Sequence, residues 1–369
     1  QVMRAAGRVP DYKMTDEPMV LTPGGTLDHF PCGFSGLRDT KLLSPVSKLR
    51  ILPFLVALLA RRPAKFGDRS VREALEKFSP SDDMVEMMEL FCGSTMIAPD
   101  LDAVSAKETA AFLQTAVKSI KTPVGYLRGG WHTFFSLMND SINTTGETRT
   151  RSGVKKIIIE NGRATGVETA GGTIEARAVV CTLPFQRVKD VIDLNRLPLE
   201  LAEYSKRVEP TSGVVVDFAL EREVSSSRSI VFTREPAASM GCLISNIEPC
   251  VAPAGRQLAT WFTIIPYSKT GDREFVRKTM DMTEETAEKA FPGLGGATMW
   301  KRRFLVPIVD GVVPKAGQTW NERAPFACPG IKGLFFAGDT TRGRGTGGDI
   351  ALDSALKCAP VVSRHLRKN

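Results

Sequence analysis

Apolar residues recur along this chain with two different periods, and the switch between them divides it into blocks. From Ser44 to Ile120 the spacing is three and four residues, as in Arg69–Phe78 and Ala106–Ile120, which predicts a helical block. Gly130 to Ile142 keeps that period and predicts one more helix. Ile157 to Pro184 instead reads as strand, a turn at Asn161-Gly162, strand, a turn at Gly171-Gly172, and a third strand. β-Rich runs return at Gly213–Leu220 and Leu258–Ile265. Asp272–Phe291 reads as a charged amphipathic helix and Met299–Pro307 as a strand. Ahead of all these, Val20–Phe30 reads as a hairpin closed on Pro23-Gly24-Gly25. Period and punctuation therefore give an α/β chain with two domains.

The end of the chain adds chemistry to this outline. An apolar strand, Leu334 to Ala337, runs into Gly338-Asp339, a loop rich in glycine and arginine follows, and a helix starts near Asp349. Glycines let backbone approach a ligand closely, and a helix N-terminus offers unpaired N–H groups and partial positive charge to an anion. Asp339, at the carboxyl end of its strand, sits where open α/β sheets bind nucleotides. Gly343, Gly345 and Gly348 do spell G-x-G-x-x-G. They stand too far beyond the strand for a dinucleotide fingerprint, and no acidic residue follows at the required distance. A helix-terminus site for the polar edge of a cofactor is the expectation, with a solvated glycine loop as the plain alternative.

Charge and cysteine usage narrow the class. At 369 residues with 42% hydrophobic positions, the chain can build two ordinary cores. The net charge of +8 is unevenly spread: Lys41, Lys48, Arg50, Arg61, Arg62 and Lys65 surround the apolar run Ile51–Ala60. That run is shorter than the roughly 20 residues that span a bilayer. It suits either an interfacial helix on anionic lipid or a buried helix with solvated ends. Basic residues are not interleaved with aromatics, so nucleic acid is not an expected partner. The seven cysteines are scattered without a C-x-x-C pair, which reads as reduced thiols in a cytoplasmic protein. His29, His132 and His365 are far apart, and no metal site is expected. No nucleophile elbow, H-E-x-x-H or Walker loop is present, so no catalytic residue stands out. Trp131, Trp261, Tyr267, Trp300 and Phe304 read either as core or as walls of a substrate channel.

Three blocks in order carry a resemblance. Gly333-Leu-Phe-Phe-Ala-Gly-Asp339, a short loop, and Gly347-Gly-Asp-Ile-Ala-Leu-Asp-Ser-Ala355 resemble the C-terminal flavin signature of the phytoene desaturase, protoporphyrinogen oxidase and amine oxidase superfamily. Gly153 to Glu168 and Ala176 to Pro184 are similar to its middle segment, and Gly125-Tyr-Leu-Arg-Gly-Gly-Trp131 to its "P-x-GG" element. The resemblance runs from about Pro18 onward. It implies an opening βαβ unit with a G-x-G-x-x-G turn. None precedes Pro18, and the expectation is a sequence that starts downstream of that unit rather than a protein that has lost it.

The resemblance implies two interleaved domains of an FAD/NAD(P)-binding, two-dinucleotide-binding type. Residues 122–193 and 324–369 would form the FAD-binding domain, and residues 1–121 and 194–323 an α+β substrate domain. It implies FAD held noncovalently, since Cys358 lies within the terminal helix rather than ahead of it. Backbone N–H groups of Gly348, Asp349 and Ile350, with Gly347 beside them, would meet the carbonyl edge of the isoalloxazine. Gly338 and Asp339 would touch the pyrophosphate or ribityl region, the Asp339 side chain on a hydroxyl. Val154 would give main-chain contacts to the adenine, Thr182 and Pro184 would lie beside the cofactor, and Arg342 and Arg344 would pair with phosphate. The implied activity is an FAD-dependent desaturase, saturase or isomerase of an apolar isoprenoid- or carotenoid-like lipid, in the cytoplasm or at a membrane surface. A porphyrinogen or amine oxidase, and a non-catalytic binding protein, remain the alternatives.

Overall fold

The computed structural model describes residue 7 and residues 11–118 and 125–368. The boundary expected at Thr122 and the end of the helical stretch at Ile120 lie outside these residues. The chain divides into two compact units: residues 139–210 with 310–368, and the described residues up to 138 with 211–309.

The second of these is built on a seven-stranded sheet. Its strands run in the order Thr298–Val306, Ser212–Leu220, Gln257–Ile265, Ser239–Leu243, Val231–Thr233, Met19–Leu21, Leu27–His29. All neighbours are antiparallel except Val231–Thr233 with Met19–Leu21. The expected hairpin at 20–30 is the edge of this sheet, closed by Thr22 N–H to Thr26 O at 2.9 Å. Side chains alternate across a strand. One face therefore carries Val216, Phe218, Leu220, Ala259 and Trp261 and packs on Ala287, Ala290 and Phe291. The covering helix, Arg273–Ala290, starts where Asp272 accepts from the Phe275 N–H. Thr263 and Thr283 hydroxyls bond across the interface at 2.8 Å. Trp261, expected as core or channel wall, is core: it is 1% exposed and lies edge-on to Phe291.

The helical block resolves into Pro45–Ala60, Val71–Glu76, Asp82–Met96 and Ala106–Lys118. Ser70 and Glu73 form a reciprocal capping box, which fixes where Val71–Glu76 begins. Asp83 ties the first helix to the third, accepting from Ser44 N–H at 2.9 Å and from the Ser47 hydroxyl at 2.8 Å. Burial pushes its carboxyl up. The donors Ser44, Ser81, Ser47 and Met84 N–H outweigh that and hold it down at about 2.

The other unit carries a three-stranded antiparallel sheet, Val154–Glu160, Arg163–Thr169 and Gly172–Glu175, and a parallel pair, Leu334–Phe336 with Val179–Cys181. The Asn161-Gly162 turn has φ of 47° and 71°, the left-handed pair that an Asn-Gly hairpin turn requires. Phe185 is the hub of the core, its ring 5.3 Å from Tyr204 and 4.9 Å from Phe336. Leu197, Leu201, Tyr204, Val208 and Val312 belong to that same core. This moves the expected boundaries: 194–210 and 310–323 sit with this unit, because their apolar side chains are buried in it. Residues 125–138 fall in the other unit.

Candidate functional site

Strand Leu334–Phe336 feeds directly into the glycine loop, and the loop is clamped from beneath. Ala337 N–H still donates to Cys181 O at 3.2 Å. At Gly338 the chain turns with φ of 134°, its N–H donating to Ser354 Oγ at 2.8 Å and its carbonyl accepting from the Thr341 hydroxyl at 2.7 Å. The Tyr204 hydroxyl donates to Thr340 O at 2.9 Å. Arg323, 1% exposed, donates through Nε to Gln318 O at 2.9 Å and through Nη1 to Gly343 O at 3.1 Å. Arg344 N–H donates to Asp353 Oδ2 at 2.7 Å. These bonds hold the loop to the body of the unit.

Past Arg344 the backbone runs short of partners. The N–H groups of Gly345, Thr346, Gly347 and Gly348 make no hydrogen bond among the described residues. The next two turn back into the chain, Asp349 N–H to Thr346 O and Ile350 N–H to Gly347 O, both at 3.2 Å. Of the expected donors Gly348 to Ile350, Asp349 and Ile350 thus donate within the chain, and among the described residues the unpaired run is Gly345 to Gly348. Ile350 is 2% exposed and packs in the core. Asp349 stands exposed in the helix's first turn. Gly345 and Gly347 have φ of 121° and 57°, conformations that L side chains rarely adopt. Such alternation turns successive N–H groups toward one side, which is how backbone makes an anion cradle. A Cβ built on Gly348 meets nothing within 4 Å, so space is open beside that residue, whereas one built on Gly347 would lie 3.6 Å from Asp310 Oδ1 and one on Gly345 2.7 Å from Asp349 Cβ.

Asp339 differs from its expectation on one oxygen. Its Oδ2 accepts from Gly311 N–H at 2.7 Å, so that atom serves the protein, while its own N–H is unpaired among the described residues. A Cβ at Gly311 would fall 2.5 Å from Asp339 Oδ1, which is why glycine stands there. The same segment is gripped by Gln186, whose Nε2 donates to Gly311 O at 2.6 Å. Gln186 Oε1 is buried without a hydrogen-bond partner, an acceptor that costs free energy until a donor arrives. Arg342 and Arg344 are both solvent-exposed, and the Arg344 guanidinium lies 5.0 Å from the centre of the Trp320 ring. Thr182, exposed, and Pro184, half-buried, follow strand Val179–Cys181, and Thr182 O lies 3.6 Å from a Cβ built on Gly338. Val154 opens an edge strand of the three-stranded sheet, 41% exposed.

In the other unit, the face of the large sheet opposite helix Arg273–Ala290 holds a second group of polar residues. The register aligns Thr260, Asp217 and Arg302 across three strands. Asp217 accepts from the Thr260 hydroxyl at 2.8 Å and from Arg302 Nε at 3.0 Å. Around them stand half-buried Val215 and Phe262, with Phe304 36% and Trp300 54% exposed. The Arg302 guanidinium lies 5.1 Å from the Phe304 ring centre. Of the aromatics expected as channel walls, Trp131 is 68% and Tyr267 39% exposed. Among the described residues, no group of three or more His, Cys, Asp or Glu is placed to hold a metal. No helix there is long and apolar enough to cross a membrane.

Gln186, Arg323, Tyr204 and Gly311 have no local signature in the sequence. Ser354 lies one turn past Ile350 in the flavin-like block and was within reach.

Comparison with known proteins bears on the fold and the family. The chain is similar in structure to an oxidoreductase from Methanosarcina mazei, at 16% identity and a TM-score of 0.78, covering 97% of this chain and 84% of that one. A protein assigned as a protoporphyrinogen oxidase from Exiguobacterium sp. 255-15 aligns at 17% identity and a TM-score of 0.69, covering 99% and 84%. Cyclohexylamine oxidase from Brevibacterium oxydans IH-35A aligns at 13% identity and a TM-score of 0.63, covering 99% and 84%. These likenesses speak for the fold. No curated protein matches the sequence significantly. The family model for flavin containing amine oxidoreductases matches residues 9–363. The chain thus belongs to the flavin containing amine oxidoreductase family and is an FAD-dependent oxidoreductase.

Proposed function

We propose that this enzyme acts on an apolar, isoprenoid- or carotenoid-like lipid, as a desaturase, saturase or isomerase. When bound, FAD supplies the hydride chemistry. The protein holds it and keeps the reacting bond in place. The run of amides Gly345 to Gly348, unpaired among the described residues and with open space beside Gly348, is the observation that supports flavin binding at this loop. It suits the carbonyl edge of the flavin ring, where negative charge accumulates on reduction. Gln186 Oε1 offers an acceptor for a cofactor hydroxyl, a role first expected of Asp339. Asp339 N–H, with Arg342 and Arg344, suits the pyrophosphate, and Val154, Thr182 and Pro184 suit the flanks of the cofactor.

For the substrate class we look, within the other unit alone, to the sheet face opposite helix Arg273–Ala290. Its carboxylate, Asp217, is already neutralised by Arg302 and Thr260. A cationic amine would find no unpaired counter-ion there and would meet the Arg302 charge. Phe262, Phe304, Val215 and Trp300 instead offer apolar surface. Arg302 also supports a second reading, a carboxylate-bearing porphyrinogen, because its Nη1 has no hydrogen-bond partner among the described residues.

Arg302→Met separates the two. With a carboxylate-bearing porphyrinogen, the variant's KM should rise about tenfold, the effect of losing roughly 1.4 kcal/mol of charge-assisted binding. With an apolar polyene precursor, KM should stay within about twofold. Bleaching of the flavin absorbance under anaerobic conditions measures both. Reduction by primary amines alone would overturn both.

A further inference from the structure

Helix Pro45–Ala60 is apolar on two sides, and only one of them is used. Ile51, Phe54, Ala57 and Leu58 are buried. Opposite them Val46 is 63%, Leu49 71%, Leu52 41%, Val56 59% and Leu59 40% exposed. Their spacing of three and four residues places them on a stripe along the whole helix, about 24 Å long at 1.5 Å per residue. Five large aliphatic side chains in a row in water are costly unless something covers them.

The charges around the stripe say what covers it. Residues 41 to 67 contain no Asp or Glu, while Lys41, Lys48, Arg50, Arg61, Arg62 and Lys65 lie among them. Lys48 and Arg50 bend back to backbone carbonyls of Arg38 and Ser79. Lys41, Arg61, Arg62 and Lys65 are exposed and make no ion pair among the described residues. Unpaired cations thus flank the apolar stripe at both ends. A protein partner of ordinary composition gives no reason for that ring. An anionic bilayer gives one, since the stripe enters the acyl boundary while the cations meet the headgroups.

We infer that helix Pro45–Ala60 is a membrane-docking element that lies in the plane of an anionic lipid surface. The inference rests on this helix alone and is independent of the substrate reading. It would stand if the substrate proved to be a porphyrinogen.

Vesicle co-sedimentation of the holoenzyme tests it, with phosphatidylcholine vesicles alone and with about 30% phosphatidylglycerol. Wild type is expected to bind the anionic vesicles at least about tenfold more tightly than the neutral ones, and to lose that preference at high salt. Leu49→Ser with Val56→Ser touches two exposed positions, so flavin content and melting should be unchanged while binding to both vesicle types falls about tenfold. Arg61→Ser with Arg62→Ser should weaken binding to the anionic vesicles only. Wild-type binding by the Leu49→Ser/Val56→Ser protein would overturn the inference. So would absence of binding at low salt. A wild-type dimer that the same double substitution splits into monomers would assign the stripe to a second copy instead, and overturn it as well.

Discussion

Gly348→Val is expected to abolish flavin retention while leaving the fold in place. A Cβ at this position meets no protein atom within 4 Å, and its φ is not in the left-handed region. The substitution should therefore change apo-protein stability by no more than about 1 kcal/mol, the propensity cost of a β-branched residue in a helix's first turn. On the proposed reading, the space it fills is the one into which the cofactor edge would fit. A loss on the order of 3 kcal/mol, more than about 100-fold in FAD affinity, should follow. FAD titration and apo melting, done side by side, give both numbers. An unchanged affinity would place the flavin elsewhere. A collapsed melting temperature would mean that the space beside Gly348 is needed by the protein itself.

Arg323→Leu should act the other way round, through stability first. Its guanidinium is buried under the loop and donates to Gln318 O and Gly343 O. Removing it strands two buried carbonyls, at about 1–3 kcal/mol each, and adds a packing defect. A destabilisation of about 3–5 kcal/mol is expected by urea unfolding of the apo-protein. FAD binding should weaken too, since the loop carrying Gly345 to Gly348 loses its floor. Arg323→Lys should recover only part, because one ammonium cannot reproduce the fork that reaches both carbonyls. Wild-type stability in Arg323→Leu would show that the loop is held by its other bonds alone.

Local chemistry was what the sequence disclosed well. The Val20–Phe30 hairpin, the Asn161-Gly162 turn and helix Arg273–Ala290 depend on residues within a few positions of each other, so turn and cap signals sufficed. Domain edges did not. Whether 194–210 and 310–323 join one core or another depends on Tyr204 and Val312 meeting Phe185 and Phe336, partners far away in sequence. The site was half legible for the same reason. Gly338 to Ile350 announced itself through glycine and a helix start, but which amides remain free turns on Asp349 and Ile350 folding back onto Thr346 and Gly347. Asp339 looked ready for a ligand because nothing in the sequence brings Gly311 to its carboxylate. Gln186, one of the sharper pointers to a ligand, is an ordinary glutamine until the fold buries its Oε1.

The central claim is that the amides of Gly345, Thr346, Gly347 and Gly348 receive the flavin. Hydrogen exchange of the segment 344–350, with and without FAD, reads it most directly. These four amides have no hydrogen-bond partner among the described residues, so they should exchange rapidly in the apo-protein and become protected when FAD binds. Strong protection of these amides before FAD is added, or FAD binding that leaves their exchange unaltered, would contradict it.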